Sequence, residues 1–162
     1  EAHVPAAGRQ IALLGAGGAA RAIAFGLRER GARLTILNRS EEIEMARTLA
    51  TEIGCPYGDL NRIDAVAAAD VVVNATSLGM APLQDCTVID PAHLRPEQTV
   101  IDIVYNPLET RFLREAKARG CRTVPGYEML LLQGVTQFEL WTGETAPVEL
   151  MRSILVERLA GK

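Results

Sequence analysis

Short apolar runs alternate along this chain with longer stretches in which apolar residues recur every three or four positions, and the two periods predict different elements. Runs at 10–14, 33–37, 70–73 and 99–104 predict strands, with weaker ones near 55–57 and 121–124. Between the first two, Ala20, Ile23, Ala24 and Leu27 keep a helical spacing that Gly31 ends. Ser40 is expected to cap a second helix, with Glu41 and Glu42 in its first turn and Ile43, Ala46, Ala50 and Ile53 on its buried face. A third helix is expected from about Glu109 to Arg119, stopping at Gly120. Strand–helix alternation predicts an α/β fold with a doubly wound parallel sheet of about six strands, because parallel neighbours need right-handed crossovers. After residue 125 the rhythm changes to two helices, at about 126–142 and 147–160, parted by Gly143 and Pro147. On the first of these, Met129, Gln133 and Gln137 share a face.

Composition narrows the picture mainly by exclusion. A chain of 162 residues fits one domain, here 1–162, and can bury roughly 70% of its unfolded surface. The net charge of −3, with both signs interspersed, gives no footprint for nucleic acid or an anionic membrane. No apolar run approaches a membrane span, and a cytoplasmic location is expected. Cys55, Cys86 and Cys121 are widely spaced, which suggests neither a disulfide framework nor a metal site but buried or inert thiols in a reducing compartment. His3 and His93 have no partner pattern.

Chemistry enters with Gly15-Ala16-Gly17-Gly18-Ala19-Ala20, which follows the first strand and opens the first helix. In that context a Gly-x-Gly-x-x-Gly/Ala loop points to a Rossmann-type dinucleotide site. Gly15 allows the tight turn, Gly17 removes a side chain where backbone must approach a pyrophosphate, and Ala20 lets helix and strand pack closely. Free N–H groups at the helix start would hold the phosphates. A ligand-free strand-to-helix turn is the plain alternative, and the flanking elements favour the ligand.

The second strand ends in Asn38-Arg39-Ser40 with no acid at its tip, where an NAD site usually has one. Arg39 is suited to stack on adenine and bond a 2'-phosphate, with Ser40 adding a hydroxyl, which favours NADP. Glu41 and Glu42 work against that phosphate by repulsion, so NAD stays open. Asn74 to Met80 after the fourth strand is small and polar, and is expected to pass near the cofactor ribose, with Thr76 as its contact. Pro107 holds Asn106 extended or in a turn and brings Tyr105 to the same edge.

Taken in order, GAGGAARAIAFGL, LNRS, VVNATSLGM, DIVYNPLETRFLREAKARG and GYEMLLLQGVTQFELWTG resemble the cofactor-binding half of the shikimate dehydrogenases, NADP-dependent enzymes of aromatic amino-acid biosynthesis. The resemblance covers nearly the whole chain. The first two segments are shared with other NADP reductases, whereas the Tyr-Asn-Pro-x-x-Thr segment and the one from Gly126 to Gly143 are much more specific. It implies that Gly15, Ala16, Gly17, Gly18 and Ala19 hold the pyrophosphate and that Asn38, Arg39 and Ser40 hold the 2'-phosphate region. It further implies that Ile103, Gly126 and Met129 lie beside the nicotinamide, while Tyr105 reaches the carboxylate of shikimate and Gln133 a ring hydroxyl. The family often has Arg or Lys five residues after the Asn of its Asn-Arg-Thr/Ser motif, and here that residue is Ile43. This departure weakens the phosphate clamp.

In this family the Lys and Asp that handle the proton belong to a domain preceding the glycine loop. The resemblance therefore implies no catalytic residue within 1–162, a chain that binds cofactor without turnover, and helices at 126–160 that return towards a substrate domain. Their apolar faces are expected to drive dimerisation. Three other readings stay in view: an NAD-accepting quinate/shikimate dehydrogenase, a noncatalytic nucleotide-binding module completed by a partner chain, and the NADPH domain of a glutamyl-tRNA reductase. The last leaves the Gly126 to Gly143 segment unexplained.

Overall fold

The computed structural model describes residues 5–161, so His3 lies outside the described residues. A six-stranded parallel sheet runs in the order β3-β2-β1-β4-β5-β6, with β1 Gln10–Leu14, β2 Arg33–Asn38, β3 Tyr57–Asp59, β4 Val71–Asn74, β5 Thr99–Asp102 and β6 Arg122–Val124. The expected Rossmann-type α/β fold is borne out. Its central strands read as unbroken apolar runs because both faces of the sheet are covered. On one face Ile11, Leu13, Ile36 and Val73 pack against α1 (Gly18–Glu29) and α2 (Ile43–Ile53), through Ala20, Ala24, Ala46, Leu49 and Ala50. On the other, Leu14, Leu37, Val72 and Val100 meet α3 (Ile63–Ala68) and α4 (Arg111–Ala118), through Val66, Phe112, Leu113 and Ala116. Full burial of each large apolar side chain contributes about 1.5–3 kcal/mol before entropy is counted.

Several boundaries differ from expectation for identifiable reasons. β5 stops at Asp102 instead of continuing to 104, because the Asp102 carboxylate accepts the Val104 N–H at 3.0 Å and turns the chain. β3 starts two residues later than expected. Ser40 does not cap α2: residues Ser40–Glu42 form a 3₁₀ turn, and α2 follows at Ile43 with no side-chain cap. The helix expected at 109–119 is α4, capped by Thr110, whose hydroxyl accepts the Leu113 N–H at 3.3 Å. Neither α3 nor the 3₁₀ turn Pro91–His93 is anticipated by the periodicity. Of the thiols, Cys121 is buried, Cys55 half-buried and Cys86 exposed.

Past β6, α5 (Gly126–Thr142) and α6 (Val148–Ala160) pack on each other, with an ion pair between Glu128 and Arg152. They leave Leu132, Leu140, Trp141, Leu150 and Ile154 exposed. No helix among the described residues is long and apolar enough to cross a membrane.

Candidate functional site

Parallel register brings the carboxyl ends of the central strands to one edge: Leu14 lies level with Leu37 and Asn74, and Asn74 level with Asp102. Strand order reverses between β1 and β4, so the chain leaves these strands in diverging directions and opens a crevice between them. Gly15 forms its floor. Its φ is 106°, its N–H donates to the Leu37 carbonyl at 2.7 Å, and a Cβ there would stand 3.0 Å from both the Ala75 carbonyl oxygen and Thr76 Cγ2. A residue with a side chain would force the two loops apart.

Gly17 and Gly18 are a different case. Gly17 precedes α1 with a φ of −77° that any residue adopts, and a Cβ at either position would meet nothing within 4 Å. The protein itself gives no packing reason for these glycines. No side chain caps α1 and no acidic residue sits in its first turn, so the positive end of the helix and its unpaired N–H groups are open to an anion.

A cleft of about 310 Å³ joins Gly15, Ala16 and Gly17 to Asn38, Arg39 and Glu42 at the tip of β2, and to Ala75, Thr76, Ser77 and Leu78 after β4. Gly18 lines an adjoining hollow with Arg21 and Met45. Ala19 is exposed on the first turn and lines neither, and Ser40, exposed on its 3₁₀ turn, is likewise absent from both linings. Asn38 is buried, and its Nδ2 donates to the Glu42 carbonyl at 3.0 Å. The Arg39 guanidinium donates to the Glu42 carboxylate. That hydrogen bond, and then the charge behind it, raises the Arg39 pKa, and the same hydrogen bond lowers that of Glu42.

Beneath the β4 loop is a polar network that the sequence reasoning missed. Asn74 Oδ1 accepts from the Thr76 N–H at 3.0 Å and the Thr76 hydroxyl at 2.7 Å, while Asn74 Nδ2 donates to Asp102 Oδ1 at 3.0 Å. Asp102 Oδ2 accepts from the Thr110 hydroxyl at 2.7 Å. Asn74, Asp102 and Thr110 are all fully buried. One network thus ties the Thr76 loop, the turn before Tyr105 and the start of α4 together. Burial pushes the Asp102 carboxyl up, with hydrogen bonds from Thr110, Val104 and Asn74 opposing. A signal was present in the sequence: in β4 and β5 an apolar run is followed at once by a polar residue of hydrogen-bonding type, Asn74 and Asp102.

Ile103, Gly126 and Met129 come together, lining an apolar cavity of about 200 Å³ with Ile11, Ile23, Val73 and Ile101. Gly126 has a packing role of its own, since a Cβ there would lie 2.5 Å from the Ile103 carbonyl oxygen. Only glycine lets α5 start against the exit of β5. Tyr105, 42% exposed, and Gln133, exposed on α5, line neither this cavity nor the glycine-loop cleft.

Two family models match the chain: "Shikimate / quinate 5-dehydrogenase" over residues 2–107 and "Shikimate 5'-dehydrogenase C-terminal domain" over 126–155. A relative from Methanosarcina acetivorans named shikimate dehydrogenase (NADP(+)) is 45% identical over 98% of this chain and 59% of its own length. Among solved structures, the shikimate 5-dehydrogenase of Thermus thermophilus in complex with NADP(H) and shikimate aligns with a TM-score of 0.85 and 36% identity, covering 96% of this chain and 57% of that one. The quinate dehydrogenase of Corynebacterium glutamicum in complex with NAD aligns at 0.83 and 35%, covering 91% and 54%. The chain therefore spans a little over half the length of the relatives it matches.

Proposed function

Because the chain belongs to the shikimate/quinate dehydrogenase family, we propose that it binds NADP in the glycine-loop cleft, as the cofactor-binding part of an enzyme that reversibly reduces 3-dehydroshikimate to shikimate. Bound there, the dinucleotide supplies the hydride. Gly15, Ala16, Gly17, Gly18 and Ala19 hold the pyrophosphate with the free N–H groups of the loop and first turn. Asn38, Arg39 and Ser40 hold the adenosine end, and Thr76 lies by a ribose. Ile103, Gly126 and Met129 keep water from the nicotinamide, in keeping with the apolar cavity they line. Tyr105 binds the substrate carboxylate and Gln133 a ring hydroxyl. The Lys and Asp that handle the proton belong, in this reading, to a substrate domain of the whole enzyme, against which α5 and α6 pack.

The observation that carries the cofactor assignment is the empty space around Gly17 and Gly18, glycines that folding does not require. It yields a direct test. Gly17→Ala should leave the protein folded with its thermal midpoint little changed, because the freedom lost by the unfolded chain is offset by the poorer N-cap that alanine makes at an otherwise ordinary backbone position. It should weaken NADPH binding, followed by its fluorescence, by about tenfold or more, the equivalent of one strong hydrogen bond lost with close approach. Unchanged NADPH affinity in a folded Gly17→Ala protein disposes of the assignment.

A second reading, an NAD-accepting quinate/shikimate dehydrogenase, is favoured by one observation. The cation lining the cleft, Arg39, is already paired with Glu42, and position 43, where the family often has a second cation, is Ile.

A further inference from the structure

We propose that Glu42 is a specificity-determining residue of the cofactor site: by occupying Arg39 it takes the place an adenosine 2'-phosphate would need and lowers the preference for NADP over NAD. The inference rests on the cofactor reading above and concerns how the same cleft tells phosphorylated from unphosphorylated dinucleotides.

Among the described residues lining the cleft, Arg39 is the one cation and Glu42 the one anion, and they are bonded to each other. The local backbone enforces the pairing. Residues Ser40–Glu42 form a 3₁₀ turn, whose three residues per turn set positions 39 and 42 one above the other. Glu42 is held from both sides, its N–H donating to the Arg39 carbonyl at 3.0 Å and its own carbonyl accepting from buried Asn38 at 3.0 Å. The Glu42 backbone is thus fixed next to Arg39 by contacts that do not depend on the ion pair, within reach of its carboxylate. The neighbouring positions are not free to substitute: Ile43 is half-buried against the α2 face of the core, Arg21 on α1 is paired with Glu52, and Arg47 on α2 with Glu44.

An incoming 2'-phosphate must therefore displace one carboxylate from Arg39 or share it, at a cost an unphosphorylated ribose does not meet. A 2'-hydroxyl can instead donate to the Glu42 carboxylate while the ion pair stays intact. Pairing also holds the Glu42 carboxyl below the usual range, so it stays ionised wherever a dinucleotide is bound near neutral pH.

The test is a calorimetric titration of NADP⁺ and NAD⁺ into the chain, Glu42→Gln, Arg39→Ala and the double variant, with circular dichroism as the folding control. Glu42→Gln keeps the side chain's size and should tighten NADP⁺ by about two- to fivefold, the scale of one exposed ion pair, while NAD⁺ binding holds or weakens. In the Arg39→Ala background the same change should move NADP⁺ affinity by less than about twofold, because the competition runs through Arg39. An unchanged NADP⁺/NAD⁺ ratio in Glu42→Gln overturns the inference and leaves the cofactor reading standing. A gain undiminished without Arg39 overturns it as well, by reducing Glu42 to a simple repulsive charge. Failure of every protein to bind either dinucleotide overturns the cofactor reading, and the inference with it.

Discussion

Asp102 illustrates how a single buried residue links the site to stability. Its carboxylate accepts from the Asn74 amide, the Val104 N–H and the Thr110 hydroxyl, and among the described residues no cation stands against it. Asp102→Ala would leave three donors without this acceptor and should lower the unfolding free energy by about 3 kcal/mol or more in urea denaturation. Asp102→Asn can keep all three contacts, because its new N–H₂ group can donate to the Thr110 hydroxyl. Its effect should instead be read through pH. Since burial raises the carboxyl's pKa, the folded state holds this proton more tightly than the unfolded chain does. The group's contribution is therefore greatest below the ordinary aspartate value of about 4 and declines as pH rises towards the raised folded value. Measured across that window, wild type should lose stability relative to Asp102→Asn with rising pH, and a flat or opposite difference would contradict the burial argument.

Elements divide according to how much of their definition is local. β1, β2, β4 and β5 were legible because strands covered on both faces read as apolar runs, and α1 because its small residues keep a helical period. α3 was not, since six residues are too few to display that period. The start of α2 departs from expectation because of a local side-chain contact. The acceptor at this turn is the Glu42 carbonyl, bound by the Asn38 side chain arriving from the end of β2, so the chain winds as a 3₁₀ turn and Ser40 has no capping role. Ser40→Ala should consequently change stability by less than about 0.5 kcal/mol, as expected of a surface position. A loss of about 1 kcal/mol or more, the usual cost of deleting an N-cap, would restore Ser40 as a cap. In α1 the missing cap has the opposite meaning, because there the unpaired N–H groups belong to the proposed site.

Across the molecule as a whole, the sheet gathers the glycine loop, the Arg39 turn and the Thr76 loop at one edge, while α5 and α6 carry apolar side chains that the rest of the fold leaves uncovered. Trp141 is 76% exposed and Leu140 79%. We expect the chain on its own to bury this surface by self-association, so light scattering should show a dimer that grows with concentration and that Leu140→Glu with Trp141→Ser disperses. Monomers at every concentration would count against it. Whatever depends on near neighbours was already fixed by the order of the residues: the alternation of periods, the glycine turn, the cation at the end of β2, and the shared face of Met129 and Gln133. Which distant residues meet was settled by folding. It joined Asn74 to Asp102 across the β4–β5 crossover, with Thr110 completing the network, and set Gly126 against the Ile103 carbonyl. Nearer by, the 3₁₀ turn set Glu42 onto Arg39 three residues away, a local pairing that the expectation of a Ser40 cap had hidden, turning an apparent phosphate-binding cation into a paired one. The reason is physical: periodicity records which face of an element is buried, whereas hydrogen bonds and close backbone approach depend on register between strands far apart in the chain.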